Sequence, residues 1–282
     1  MLQDIVSYLA CPHCARELAL DGRTLRCPSG HSFDQAKQGY VSLLAGDAHT
    51  GTGDTAAMVA ARSDFLAAGH YRPIADALAE AAAAAAPQGL VADLGAGTGH
   101  YLSHVLDALP AGPGSPGNPG AALDISKFAL RRAARSHPRI GAVVCDAWRP
   151  LPLRDDAAAL MLNVFAPRNG PEIRRVLRPG GMLLLVSPTH RHLGELVGAL
   201  GLLSVDEDKQ RRIEEKLGPY LTPGERWEVE FPLRLSAAEV RTVVAMGPSA
   251  WHTDPGELDA RLAALPDPAE VTASVTVAAY HR

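Results

Sequence analysis

The sequence predicts an α/β protein: a doubly wound, mostly parallel sheet with a small metal-binding module at its N-terminus. Three observations predict it. From residue 89 onward, short apolar runs alternate with helical stretches. A glycine-rich turn follows the first of those runs, and three cysteines and a histidine crowd into residues 11–31. Strand–helix alternation with continuous apolar strands is the pattern of a parallel sheet covered on both faces.

The 282 residues, 47% of them apolar and 21% charged, suffice for one large domain and a small appendage. No run of eighteen apolar residues suggests a membrane span. The opening MLQDIVSYLA carries Asp4 and no basic region, which argues against a secretion signal, so the expected location is the cytoplasm. The net charge of −4 is no footprint of nucleic-acid binding, but its distribution is uneven. Residues 125–192 carry twelve basic and four acidic side chains between two segments that are each net acidic. A local patch of this kind can hold RNA phosphates, although arginines also solvate ordinary helix faces.

In chain order, residues 10–45 read as short strands and turns, and GDAHTGTGDT at 46–55 reads as a linker. Helices are expected from about Thr55 to Ala68 and from about Pro73 to Ala86, with Pro73 suited to a first turn. LVADL is the first buried strand, and YLSHVLDAL the helix after it. PAGPGSPGNPG is a surface loop. AALDI, AVVCD, AALMLNVF and MLLLVSP are further strands, interleaved with helices SKFALRRAARSH and PEIRRVL. HLGELVGALGLL, VDEDKQRRIEEKLG and SAAEVRTVVAM look helical; WEVEFPLRL and VTASVTVAAYH look like strands. The expected division is a small metal-binding module at 1–45, a linker and helical segment at 46–88, and the main α/β domain at 89–282.

The metal signal is Cys11-x2-Cys14-x12-Cys27-x3-His31. Two ligands from one knuckle turn and two from a second complete a tetrahedron, and three thiolates with one imidazole suit Zn²⁺. Four protein ligands leave no open position, so the site is expected to be structural. His13 is expected to face solvent, and Cys145, in the apolar run AVVCDA, to be a small buried residue.

The second signal is Asp93-Leu-Gly95-Ala-Gly97-Thr98-Gly99-His100-Tyr101 at the end of LVADL. Glycines let a ligand approach the backbone, and the helix start offers free N–H groups. The G-x-G-x-G spacing differs from that of dinucleotide turns, which seat a diphosphate; S-adenosylmethionine has none. Asp124 ends the second strand, where a carboxylate can take both ribose hydroxyls. Asp146 ends the third, within reach of an adenine amino group, and Asn163 lies near the end of the fourth, before Phe165-Ala-Pro167. All fall at carboxyl ends of successive strands.

With these motifs, the chain resembles the zinc-containing large-subunit rRNA (guanine-N1)-methyltransferases, in particular the tylosin-resistance type of actinomycetes. The resemblance runs through CPHC…CPSGH, SFDQAKQGYVSLL, MVAARSDFLAAGHY, DLGAGTGHY, LDISK, NVFAP, RVLRPGG, HLGELV and MGPSAWH. It implies a Rossmann-like methyltransferase sheet with an N-terminal zinc ribbon. It also implies methyl transfer from S-adenosylmethionine to N1 of a guanine in a 23S rRNA hairpin loop, at the 748-type rather than the 745-type position. Tyr71, the Gly95–Gly99 turn and His192 would contact the cofactor, and Cys11, Cys14, Cys27 and His31 would hold zinc. A homodimer and macrolide resistance are further implications.

Guanine N1 is protonated at neutral pH, so a base or a hydrogen-bonded carbonyl must assist. The sequence names no such group; Asn163 and Asp146 are the nearby candidates. Trp148, Phe165 and Trp251 are candidate stacking platforms, with core packing the commoner role for such residues. Two other readings share the sheet: a zinc-bearing methyltransferase acting on a small molecule, and a noncatalytic RNA-binding protein with a vestigial pocket. The zinc module argues against the first; intact Asp93, Gly95, Gly97, Gly99 and Asp124 argue against the second.

Overall fold

The computed structural model describes residues 1–46, 53–109, 111, 117–202, 208–247 and 255–282. The chain opens with helix α1 (Leu2–Ile5) and an antiparallel ribbon of β1 (Ala19–Asp21), β2 (Thr24–Arg26) and β3 (Ser32–Asp34). Strands of three residues cannot bury a core alone, so the ribbon depends on a metal and on the sheet behind it.

Strand β4 (Tyr40–Ser42) and helices α2 (Ala56–Ala67) and α3 (Arg72–Ala85) follow. Thr55 caps α2, accepting a hydrogen bond from the Met58 N–H at 3.2 Å. The alternating region then runs β5 (Leu90–Leu94), α4 (His100–Ala108), β6 (Gly120–Asp124), α5 (Lys127–Ser136), β7 (Ile140–Val144), β8 (Ala158–Val164), α6 (Gly170–Val176) and β9 (Leu177–Pro188). The chain finishes with α7 (Gly194–Leu200), α8 (Lys209–Leu217), β10 (Thr222–Leu235), α9 (Ala237–Ala245), α10 (Pro255–Leu262) and β11 (Ala269–His281).

These strands form one eight-stranded sheet in the order β10-β11-β9-β8-β5-β6-β7-β4. All neighbours from β4 through β9 are parallel; β11 joins β9, and β10 joins β11, antiparallel. The winding reverses at β5, whose neighbours are β6 on one side and β8 on the other. Ligands of such sheets bind at this switch point, outside the carboxyl ends of the strands. Every residue of β5, β7 and β8 is buried, as continuous apolar runs require of strands covered on both faces.

The two apolar layers differ in origin. Ile74, Leu102 and Leu130 of α3, α4 and α5 pack on one face with Leu160 and Val275. On the other, Ile5, Leu9, Cys11, Leu25 and Cys27 of the N-terminal module share a cluster with Leu123, Val143 and Leu153, and with Ile173 and Leu217 of α6 and α8. A Cβ on Gly141 of β7 would lie 2.5 Å from the Ile5 side chain, so α1 seats directly on the sheet. The module's last strand, β4, extends the sheet through its parallel register with β7, Val41 opposite Val143.

Two strands outrun the sequence reading. β9 has 12 residues, and the Arg178-Pro179-Gly180-Gly181 turn lies inside it as a register shift against β8. β10 has 14 residues because β11 pairs with it along nearly its whole length.

Candidate metal centre and cofactor crevice

The ligand atoms of Cys11, Cys14, Cys27 and His31 all lie within 4.8 Å of one another. Both pairs come from tight turns. The Ala15 N–H donates to the Cys11 carbonyl at 2.8 Å, and the Gly30 N–H to the Cys27 carbonyl at 3.0 Å. Gly30 has φ +86, a conformation glycine adopts without strain. The Cys14–Cys27 sulfurs are 3.7 Å apart, and His31 Nδ1 is 3.5 Å from the Cys11 and 3.3 Å from the Cys27 sulfur. Tetrahedral zinc with bonds of about 2.3 Å to sulfur and about 2.0 Å to nitrogen requires edges of about 3.8 and 3.5 Å. The donor set and spacing therefore fit zinc. The Arg16 backbone N–H and the Ser29 side chain hold the Cys14 thiol down at about 6, ready to ligate as thiolate. Burial raises Cys11, and a bound dication is what offsets that. His13 is exposed, its ring 4.9 Å from that of His31.

The three glycines after β5 do different work. All have positive φ. A Cβ on Gly95 would lie 2.3 Å from the Ala166 Cβ, and one on Gly99 2.5 Å from the Ser136 Oγ, so these two permit close packing. A Cβ on Gly97 would meet nothing nearer than Arg62 at 3.9 Å, which leaves its backbone open to a ligand.

Carboxylates and an amide surround this turn. Asp124 Oδ2 accepts the Gly97 N–H at 2.8 Å, and its Oδ1 accepts the Ser126 N–H at 2.8 Å. Asp93 is 1% exposed, and neither of its oxygens has a hydrogen-bond partner. Burial, and then the neighbouring Asp124, push it up to about 8. Asn163 is wholly buried; its Nδ2 donates to the carbonyls of Leu94 (3.2 Å) and Pro167 (2.8 Å), while Oδ1 is unpartnered. Asp146 Oδ1 accepts the Trp148 N–H at 2.9 Å. Thr98 is buried, and His100 Nε2 is buried without a partner. The Tyr101 ring packs edge-on against His100 at 5.1 Å. Orphaned polar atoms on this scale imply a polar ligand that completes the site.

Tyr71 and His192 meet although 121 residues apart. His192 Nδ1 accepts the Ser274 N–H at 3.2 Å, and burial lowers its pKa to about 4, so the ring is neutral with its hydrogen on Nε2. That hydrogen goes to the Tyr71 hydroxyl oxygen, 3.0 Å away. Burial keeps Tyr71 protonated, so its own O–H remains available to a ligand. Phe165, at the left-handed φ of 53, completes an aromatic trio, 6.2 Å from Tyr71 and 5.8 Å from His192.

A family model described as RlmA, N-terminal, matches residues 9–48. A relative from Streptomyces fradiae, named as a 23S rRNA (guanine(748)-N(1))-methyltransferase, is 51% identical over 98% of this chain and 97% of its own. One from Micromonospora griseorubida, with a 23S rRNA (guanine-N(1)-)-methyltransferase name, is 53% identical over 99% of each chain. This chain belongs to the 23S rRNA (guanine-N1)-methyltransferase family. It is an S-adenosylmethionine-dependent enzyme with a structural zinc ribbon, as the family, the sheet and the Cys₃His cluster together show. In fold alone it also resembles a chain from the complex of the Haloferax volcanii Trm112 methyltransferase activator with a methyltransferase. There the TM-score is 0.51 at 16% identity, over 81% of this chain and 97% of that one.

Some features escaped the sequence reading. Arg62 pairs with Asp54 and donates to the Met246 carbonyl at 2.8 Å, and the Ser126 hydroxyl donates to the Asp54 carbonyl at 2.8 Å. The segment before and within α2 therefore lies over the glycine turn; the MVAAR motif was the signal. Core packing, the commoner expectation, does not describe Trp148 and Phe165, which are 61% and 41% exposed. Trp251 lies outside the described residues. Cys145 is buried as expected.

The basic segment divides by role. Arg139, Arg154, Arg175 and Arg178 donate to backbone carbonyls and hold the fold. Arg131, Arg132 and Arg135 line a cavity of about 470 Å³ with His100 and His104, and Arg132 also donates to the Val59 carbonyl at 3.1 Å. Among the described residues no helix is long and apolar enough to cross a membrane.

Proposed function

We propose that this protein transfers a methyl group from S-adenosylmethionine to N1 of a guanine in a 23S rRNA hairpin loop, at the 748-type position. The observation that carries the reading is the end-to-end identity with the Streptomyces fradiae relative, joined to a crevice whose buried polar atoms await a ligand. Within it, Asp124 takes the ribose hydroxyls and Asp146 the adenine amino group. Asp93 faces the methionyl ammonium, with Thr98, His100 and Tyr101 lining the turn. The Tyr71 O–H, oriented by His192, donates to the ligand.

The cofactor supplies an activated methyl on a sulfonium; the protein supplies alignment and helps the N1 proton leave. Asn163 Oδ1 can orient the guanine edge, but an amide takes no proton. Asp146 is engaged at the adenine end of the cofactor, so the N1 proton passes to solvent. The module at 1–45 grips RNA, 46–88 is the linker and helical segment, and 89–282 carries the chemistry. A cytoplasmic homodimer and tylosin-type resistance complete the proposal. Incubation of the protein with labelled cofactor and unmodified 23S rRNA tests it: digestion should yield labelled 1-methylguanosine. Label in 2-methylguanosine, or none in RNA, would contradict it.

Asp93 offers a separate check. Held near 8 in the ligand-free protein, it is largely protonated at pH 7, and a cation set against it favours ionisation. Cofactor binding at pH 7 should release close to one proton, seen as a calorimetric enthalpy that varies with the buffer's ionisation heat. Asp93→Asn should abolish that dependence and weaken binding about 10- to 100-fold. A buffer-independent enthalpy in the native protein would refute the assignment.

A further inference from the structure

Four large apolar side chains are exposed among the described residues: the terminal Met1, and Trp148, Phe165 and Tyr220, which are 61%, 41% and 37% exposed. The three aromatics come from distant parts of the chain, yet all border the loop 165–170 that leaves β8 at the mouth of the crevice. Phe165 begins that loop. A Cβ on Gly170, at its end, would lie 2.6 Å from Tyr220 Cδ2, so the tyrosine ring covers that glycine. Asn169 Nδ2 donates to the Ala147 carbonyl at 3.0 Å and ties the turn bearing Trp148 to the same loop.

The main chain that carries these rings is fixed by hydrogen bonds. The Trp148 N–H is bonded to Asp146 and the Tyr220 N–H to the Leu217 carbonyl at 2.9 Å. A cation accompanies them: Lys216 Nζ sits 5.8 Å from the Trp148 ring. Exposed aromatic faces beside a positive charge suit unpaired nucleobases joined by phosphates. An apolar protein partner would have little use for the cation.

We propose that Trp148 and Tyr220, with Lys216, form a stacking platform for the unpaired bases flanking the target guanine, with Phe165 as its inner edge. The inference rests on the RNA substrate reading above and specifies how the loop is held open. Splaying neighbours onto these rings keeps the target base unstacked at the crevice.

The test measures binding of the target hairpin to the zinc-loaded protein, together with methyl transfer. Trp148→Ala and Tyr220→Ala should each weaken hairpin binding about fivefold or more, and raise KM for RNA more than they lower kcat. W148F and Y220F should retain native affinity. S-adenosylmethionine affinity and melting temperature should stay native in all four. Alanine variants that bind the hairpin as tightly as the native protein would overturn the platform alone. Failure of the native protein to bind the hairpin would overturn the substrate reading and the platform with it.

Discussion

Cys14→Ser is expected to cost the protein its zinc and to lower the melting temperature of the whole chain, not of the ribbon alone. Its sulfur stands 3.7 Å from that of Cys27 at one edge of the tetrahedron, and a hydroxyl is a poor substitute for thiolate on zinc. Structural zinc contributes about 10–16 kcal/mol to small ribbons, so a crippled site should forfeit several of these. The loss cannot stay local. Cys11 and Cys27 pack in one apolar cluster with Leu123 and Val143, and β4 is hydrogen-bonded to β7 beside the strands that form the crevice. A loss of about 5 kcal/mol corresponds to a fall of roughly 10–20 °C for a chain of this size. Zinc content by atomic emission and thermal unfolding followed by circular dichroism provide the check. Chelation of the native protein should reproduce the shift, and Cys145→Ser should leave zinc content unchanged. A Cys14→Ser protein with stoichiometric zinc and native melting would contradict the assignment.

Asp124→Ala should remove cofactor binding almost entirely. The carboxylate has two tasks. It accepts the N–H groups of Gly97 and Ser126 in the turn, and on the proposed reading its remaining lone pairs take the ribose hydroxyls. Alanine would forfeit the proposed ribose contacts and leave both N–H groups without their acceptor. Two charge-assisted hydrogen bonds at about 1.5–3 kcal/mol each correspond to a loss of about 10²–10⁴ in affinity. Asp124→Asn should fall between, since an amide keeps one acceptor oxygen. Calorimetry with S-adenosylmethionine reads the effect, with the far-ultraviolet spectrum as the control for folding. An alanine variant within threefold of native affinity would place the cofactor elsewhere.

The metal cluster and the glycine turn after β5 were legible because their information is local. Cys-x2-Cys and Cys-x3-His are knuckles within a few residues, and the glycine turn joins a strand to the helix that follows it. The sheet was legible because parallel strands buried on both faces are apolar throughout. What the sequence withheld is non-local. Nothing in Tyr40–Ser42 announces parallel pairing with a strand about a hundred residues later. The partner of Tyr71 stands 121 residues away, and the bond between Arg62 and Met246 spans 184. The exposure of Trp148 was hidden for a similar reason: the neighbours that hold its turn, Asn169 and Lys216, are brought in by α6 and α8. The perturbed Asp93 is also a tertiary effect, since an aspartate in LVADL is unremarkable until the sheet closes around it.

The most direct test of the central claim is primer extension through the 748-type hairpin on 23S rRNA from a host lacking the gene, complemented with the native gene or with Asp124→Ala. A methyl on guanine N1 blocks Watson–Crick pairing, so the native gene should restore a strong stop one nucleotide before that guanine, and the Asp124→Ala gene should not. A stop that persists without the gene, or full read-through in the restored strain, would contradict it.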